Sequence, residues 1–200
     1  MSVALFPCPQ GESRYNGLRM SADEYLRLED DGCRYELIDG VVCMSPSPTP
    51  GHQNVEGQVF GQIWTYLERH PVGAVLTEVD VRLPAGPNGE ETVYRPDVVF
   101  LRAERVTRNR DRITEPPDLI VEIISITSRH YDQETKKSDY ERFGVREYWI
   151  IDPIRETMGF YRLREDRYVE VKHQGDAFLS EAVPGFVLDL ARVRKAFRLG

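Results

Sequence analysis

The chain reads Asp-Leu-Ile-Val-Glu-Ile-Ile-Ser at 118–125 and Glu-Tyr-Trp-Ile-Ile-Asp at 147–152, with a polar segment, 131–143, between them. Both apolar runs have the length and β-branched content of strands covered on both faces. The segment between them carries Asp132, Lys136 and Tyr140 at four-residue steps and stops at Gly144, which predicts a helix. A strand–helix–strand unit of this kind makes a parallel pair when both strands share a sheet.

Working outward, residues 34–44 predict two short strands around Asp39-Gly40, a pair suited to a two-residue type I′ turn. Further strands are expected at about 73–83 and 92–101, joined across Pro84–Gly89. Ser21 and Glu24 have capping-box spacing for a helix over about 21–30. From His52 to about Arg69, Val55, Val59, Ile63, Tyr66 and Leu67 recur at helical steps, a stripe suited to packing on a sheet. Residues 157–172 read as a hairpin around Glu165-Asp166, and 189–198 as a basic helix. The expected class is α/β in the mixed α+β sense, a mixed central β-sheet flanked by helices. One domain over 21–200 is expected, preceded by a flexible lead-in over 1–20.

A net charge of −7 argues against a protein that coats nucleic acid without specificity. It leaves room for a local basic surface. Arg102, Arg105, Arg108, Arg110 and Arg112 crowd one short stretch, which is either a solvated loop or a phosphate-contacting one. No apolar run approaches the roughly 18–20 residues of a membrane span. The N-terminal residues have neither the basic start nor the apolar stretch of a secretory signal. Cys8, Cys33 and Cys43 form no CxxC pair, which argues against a disulfide scaffold and for a cytoplasmic setting.

Glu122 is the residue out of place. Side chains alternate along a strand, so Ile120, Glu122 and Ile124 share one apolar face. A carboxylate there has to be protonated, paired or bound to a metal. Asp97 opens another β-rich run, Asp-Val-Val-Phe-Leu, and the two carboxylates converge if those strands pair. Mg²⁺ or Mn²⁺ takes oxygen ligands of this kind. Lys136 would then border the same cleft and assist a water, unless it only pairs with Asp132 one helical turn away.

Several segments together resemble the Uma2 family of restriction-endonuclease-like proteins, within the PD-(D/E)XK nuclease superfamily. They are Glu-Leu-Ile-Asp-Gly at 36–40, His52, Arg-Pro-Asp at 95–97, Pro-Asp-Leu-Ile-Val-Glu at 117–122, the Asp132/Lys136/Tyr140 stripe, and Gly-Val-Arg-Glu-Tyr-Trp-Ile-Ile-Asp at 144–152. The resemblance spans about residues 20–190 and implies a restriction-endonuclease-like core.

It also implies a Mg²⁺- or Mn²⁺-dependent endonuclease acting on DNA, with Asp97 and Glu122 as metal ligands. Ile124 stands where the superfamily pattern places a lysine two residues after the acidic one. Lys136 matches the family's lysine on the following helix and is the expected catalytic replacement. Glu36 matches an early family glutamate; it is either a catalytic-site residue, as a third acidic ligand or a water-positioning group, or a hairpin carboxylate paired with Arg34. His52 is either a phosphate contact or part of a helix cap, and Tyr140 either a substrate contact or a packing residue. Arg112 is the arginine expected to meet substrate. A homodimer is expected because duplex DNA has two strands to cut. The competing expectation is a nuclease fold with a weakened site, used as a binding or regulatory module.

Overall fold

The computed structural model describes residues 13–45, 47–86, 89–108, 112–125 and 131–199. In chain order the elements begin with α1 (Ala22–Tyr25), β1 (Arg34–Ile38), β2 (Val41–Ser45), α2 (Pro50–Leu67), β3 (Gly73–Thr77) and β4 (Val81–Arg82). Next come β5 (Val93–Tyr94), β6 (Val98–Arg102), α3 (Ala103–Val106) and β7 (Leu119–Ile123). A π-helical turn (Tyr131–Lys136) runs straight into α4 (Lys137–Phe143), followed by β8 (Glu147–Asp152), β9 (Thr157–Arg164) and β10 (Arg167–Glu170). The chain closes with β11 (Ala177–Leu179), β12 (Val187–Asp189), α5 (Leu190–Ala196) and a 3₁₀ turn (Phe197–Leu199).

A mixed six-stranded sheet, ordered β10-β9-β8-β7-β6-β3, forms the centre. Its β7–β8 pair is parallel, as the strand–helix–strand reading requires, and every other neighbouring pair is antiparallel. β7 and β8 are buried along their whole length. On one face lie α2 and α5: Val55, Val59 and Ile63 of α2 pack on Val98, Phe100, Leu119, Val121 and Trp149. Thr49 caps α2, its Oγ1 accepting from His52 N at 3.2 Å, and Pro50 occupies the first turn, where a missing N–H costs nothing. On the opposite face, Tyr140 and Phe143 of α4 close over Val99, Ile120, Ile124 and Tyr148. Both flanks are therefore helical.

A second sheet, β2-β1-β5-β4, stands beside the first. It arises because two runs that read as single strands each divide. The run over 73–83 breaks after β3, where Glu78 takes a positive φ of 51°, and resumes as β4 in the smaller sheet. The run over 92–101 divides into β5, in the smaller sheet, and β6, in the larger one, around Arg95-Pro96-Asp97. Pro96 has no N–H to give a ladder, which suits the crossing point. Asp97 is thereby delivered to the junction of the two sheets.

Other departures are local. The helix expected over 21–30 has its capping box but ends after Tyr25, before the Asp- and Gly-containing turn at 30–32. Asp39 and Gly40 both take positive φ, as a type I′ turn demands. Of the expected lead-in, residues 1–12 lie outside the described residues, while 15–20 are held against the β1–β2 hairpin. Gly17 N donates to Val42 O and Met20 N to Gly40 O, so this part belongs to the folded body. Cys43 is a free thiol, but Cys33 is disulfide-bonded, contrary to the sequence expectation. The β11–β12 hairpin was not legible as strand, because each arm is only three residues long. No helix among the described residues is long and apolar enough to cross a membrane.

Candidate functional site

β7 carries Glu122 into the face covered by α4, where three other polar side chains from separate elements meet it. Glu36 comes from β1, Lys136 from the end of the π-helical turn, and Tyr140 from α4. Lys136 Nζ lies 2.9 Å from Glu36 Oε1 and 3.2 Å from Glu122 Oε1. Tyr140 donates its hydroxyl to the same Glu122 Oε1 at 2.8 Å. Arg95 N donates to Glu36 Oε1 at 2.9 Å, which fixes that carboxylate to the crossing segment between the sheets. All four side chains are buried, Lys136 being 5% exposed. Lys136 also lies 5.3 Å from the centre of the Tyr94 ring.

The physics of a misplaced carboxylate is thus satisfied by a cation and a hydroxyl donor. Burial, with the charge of Glu122 next, drives the Tyr140 hydroxyl well above its usual range, so it stays a donor. Glu36 does not pair with Arg34, the alternative open from sequence; Arg34 turns instead to Glu78 at 2.8 Å and to Asp97 at 3.5 Å. The side chain of Asp132 lies outside the described residues. Lys136 is no exposed surface residue. The π-helical turn sets the phase on which its side chain enters the core, a backbone irregularity often found where function needs it.

Asp97 lies one step beyond the last β6–β7 pair, Val98 with Val121, so the register puts it beside Glu122. Its Oδ2 accepts from Ile123 N, the next peptide along, at 2.7 Å. On the other side stands α2. His52 Nε2 is 3.3 Å from Asp97 Oδ2, and Glu56, one turn further along, has Oε2 3.9 Å from His52 Nδ1. Ligand atoms of His52, Glu56 and Asp97 all lie within 4.8 Å of one another, and all three residues are buried.

Each of these three groups lies in the field of the other two. Burial opposes the charge on Asp97, but the hydrogen bond and charge of His52, the Ile123 N–H and Arg34 outweigh it and hold the carboxyl below its usual range. Burial likewise opposes the imidazolium of His52, yet Asp97 and Glu56 raise its pKa above the ordinary value. Glu56 is pushed up to about 7, by burial first and then by the negative charges of Asp97 and Glu78. A carboxyl driven that high is one buried beside other carboxylates. Divalent cations fit such a donor set.

His52 is thus neither a plain cap residue nor at the surface: its N–H uses the Thr49 cap while its ring faces Asp97. Glu56, Arg34 and Tyr94 were missed from sequence. The four-residue step between His52 and Glu56 was the available signal for the first. Arg112 is exposed, and no ion pair or hydrogen bond among the described residues joins it to these carboxylates. Arg102 and Arg105 are tied down instead, at 3.7 Å and 3.5 Å from the fully buried Asp118.

Comparison with known proteins gives the setting. No curated protein matches the chain. Five solved chains match, among them a structure described as a "putative nuclease belonging to DUF820 from Anabaena variabilis ATCC 29413". It superposes with a TM-score of 0.74 at 16% identity, covering 89% of this chain and 99% of that one, a likeness that speaks for the fold. The model of the Uma2 family, described as "Putative restriction endonuclease", matches residues 22–191. That match takes in both sheets, α2, α4 and every carboxylate above, and the chain belongs to the Uma2 family.

Proposed function

We propose that this protein is a metal-dependent endonuclease that hydrolyses DNA phosphodiester bonds, with Asp97 and Glu122 as the ligands of Mg²⁺ or Mn²⁺. The observation that carries the reading is the meeting of Lys136 with Glu122 and Glu36 in a buried pocket beside Asp97. Bound there, a divalent cation would supply charge neutralisation at the scissile phosphate and a more acidic water.

The chain's own residues do the rest. Glu36 and Glu122 hold the Lys136 ammonium at a fixed place, so its charge and protons are aimed without a rearrangement at the moment of reaction. Lys136 so placed can hold an attacking water or stabilise charge developing on the phosphate. Tyr140 keeps Glu122 in one orientation through its hydroxyl. This lysine arrives from the helix rather than from the strand, where Ile124 is 1% exposed in the apolar core and has no polar atom to offer. A homodimer would bring two such sites to the two strands of a duplex.

Nicking of supercoiled plasmid tests the reading. Wild type is expected to nick with Mg²⁺ or Mn²⁺ and not in chelator. Asp97→Asn, Glu122→Gln and Lys136→Arg are each expected to slow nicking by about 10²–10⁴-fold. Metal-dependent binding of DNA by wild type with no nicking of any DNA form would overturn hydrolysis and leave a binding module.

A further inference from the structure

The pair of residues on α2 has no part in the chemistry above, yet it is built like a ligand set. His52 is the third residue of the helix and Glu56 lies one turn on, so both project from one face. That face meets Asp97 at the sheet junction. His52, Glu56 and Asp97 are 7%, 6% and 4% exposed. Nδ1 of His52 is fully buried and has no hydrogen-bond partner. Its neighbour Glu56 Oε2 is 3.9 Å away, beyond hydrogen-bond reach, and that oxygen already accepts from Gln53 Nε2 at 2.7 Å. Buried imidazole nitrogens are ordinarily satisfied, so an orphan one beside the Glu56 carboxylate, on a ring whose other nitrogen faces Asp97, needs a reason.

A cation supplies one. Two ligand atoms each about 2.1 Å from one ion are no more than about 4.2 Å apart. The imidazole gives one nitrogen to an ion, and one ligand atom from each of His52, Glu56 and Asp97 lies within 4.8 Å of the others, so a few tenths of an ångström of inward side-chain movement brings all three onto one ion. Arg34 approaches Asp97 from the Oδ1 side, leaving Oδ2 toward His52. Three oxygen-rich ligands alone would suit Mg²⁺, but an imidazole nitrogen among them shifts preference to Mn²⁺, Fe²⁺, Co²⁺ or Zn²⁺.

We infer that His52, Glu56 and Asp97 form a transition-metal subsite, distinct from the Asp97–Glu122 position in its ligands and in its preference for Mn²⁺ over Mg²⁺. The inference shares Asp97 with the nuclease reading and rests on it in that respect alone. The α2 residues would then make this chain's metal choice, while the Lys136 side of Asp97 handles substrate.

Pulsed electron paramagnetic resonance of Mn²⁺ bound to the intact protein tests it. The expected result is hyperfine coupling from a directly bound imidazole nitrogen in wild type, kept in Glu122→Gln and lost in His52→Gln. Titration should show Mn²⁺ affinity falling by about 10-fold or more in His52→Gln and in Glu56→Gln. Wild-type Mn²⁺ without nitrogen coupling overturns the subsite whatever the variants do, as does unchanged Mn²⁺ affinity in both α2 variants. Nitrogen-coupled Mn²⁺ in a protein that nicks no DNA would sustain the subsite and remove the nuclease reading. Nicking with no nitrogen coupling would do the reverse.

Discussion

Lys136 Nζ lies 3.2 Å from Glu122 Oε1, although 14 residues separate them and the lysine comes from a helix while the glutamate comes from a strand. This contact links the carboxylate that the apolar strand cannot tolerate with a cation that reaches it from the covering helix. Replacing Lys136 by methionine would take the ammonium away from the buried Glu36 and Glu122 carboxylates. A loss of about 3–5 kcal/mol is expected in chemical denaturation. Lys136→Met combined with Glu36→Gln and Glu122→Gln should recover much of that loss while leaving nicking absent. Equal stability of the single and triple variants would show that the ammonium is not what compensates these carboxylates.

Glu147 makes a second buried hub, remote in role from the first. It is 1% exposed and accepts from Trp149 Nε1 at 2.7 Å, Glu181 N at 2.8 Å and Ala182 N at 3.1 Å. Glu147→Ala strands three donors, two of them in buried hydrogen bonds, and is expected to cost about 3–5 kcal/mol. Since the hub ties the segment before β12 to β8, hydrogen exchange should quicken first at Glu181 and Ala182. Metal affinity of the folded variant is expected to match wild type.

Gly144 ends α4 in the left-handed region, with φ 90° and ψ 26°. An alanine there meets the usual penalty of an L-residue in that conformation, about 1–2 kcal/mol. Its Cβ would have room, the nearest atom being Pro116 Cγ at 3.9 Å, so the cost is backbone strain rather than a clash. Gly144→Ala should therefore lower the melting temperature while leaving the near-ultraviolet spectrum of the native state in place. A drop as large as that of a core truncation would contradict this account.

Stability should fall on the alkaline side. Tyr25, Tyr140 and Tyr168 all have hydroxyls pushed above their ordinary range, burial being the first cause in each. In the unfolded chain they lose their protons near pH about 10, while the folded protein keeps them. The unfolded state then binds fewer protons, so the stability present below that pH is lost progressively as pH rises above it. The tyrosinate absorbance of these three residues should appear only together with loss of the circular-dichroism signal, and Tyr168→Phe should reduce the slope of stability against pH. Ionisation of all ten tyrosines well before unfolding would refute the assignment.

The strand–helix–strand core was legible because periodicity is a local property. An apolar run of strand length, a polar run of helical length and another apolar run admit few arrangements, and the parallel β7–β8 pair is one of them. Glu122 was conspicuous for the same reason: it breaks an apolar pattern whose neighbours are adjacent in sequence. The division of 73–83 and 92–101 between two sheets was not legible. Each half still alternates like a strand, and the break shows only in a positive φ at Glu78 and a proline at 96.

By itself, then, the sequence determined the strand–helix–strand core, the helical step that puts Lys136 and Tyr140 on one side, and the need of Glu122 for a partner. Only the tertiary structure decided who the partners are. Glu36 is 100 residues from Lys136 and Asp97 is 45 residues from His52, and separations of that size leave no periodic trace. Which side chains meet is set by how the two sheets abut and where α2 and α4 are pressed onto them. The apolar faces of those helices impose that packing, and the buried charges must then satisfy one another inside it.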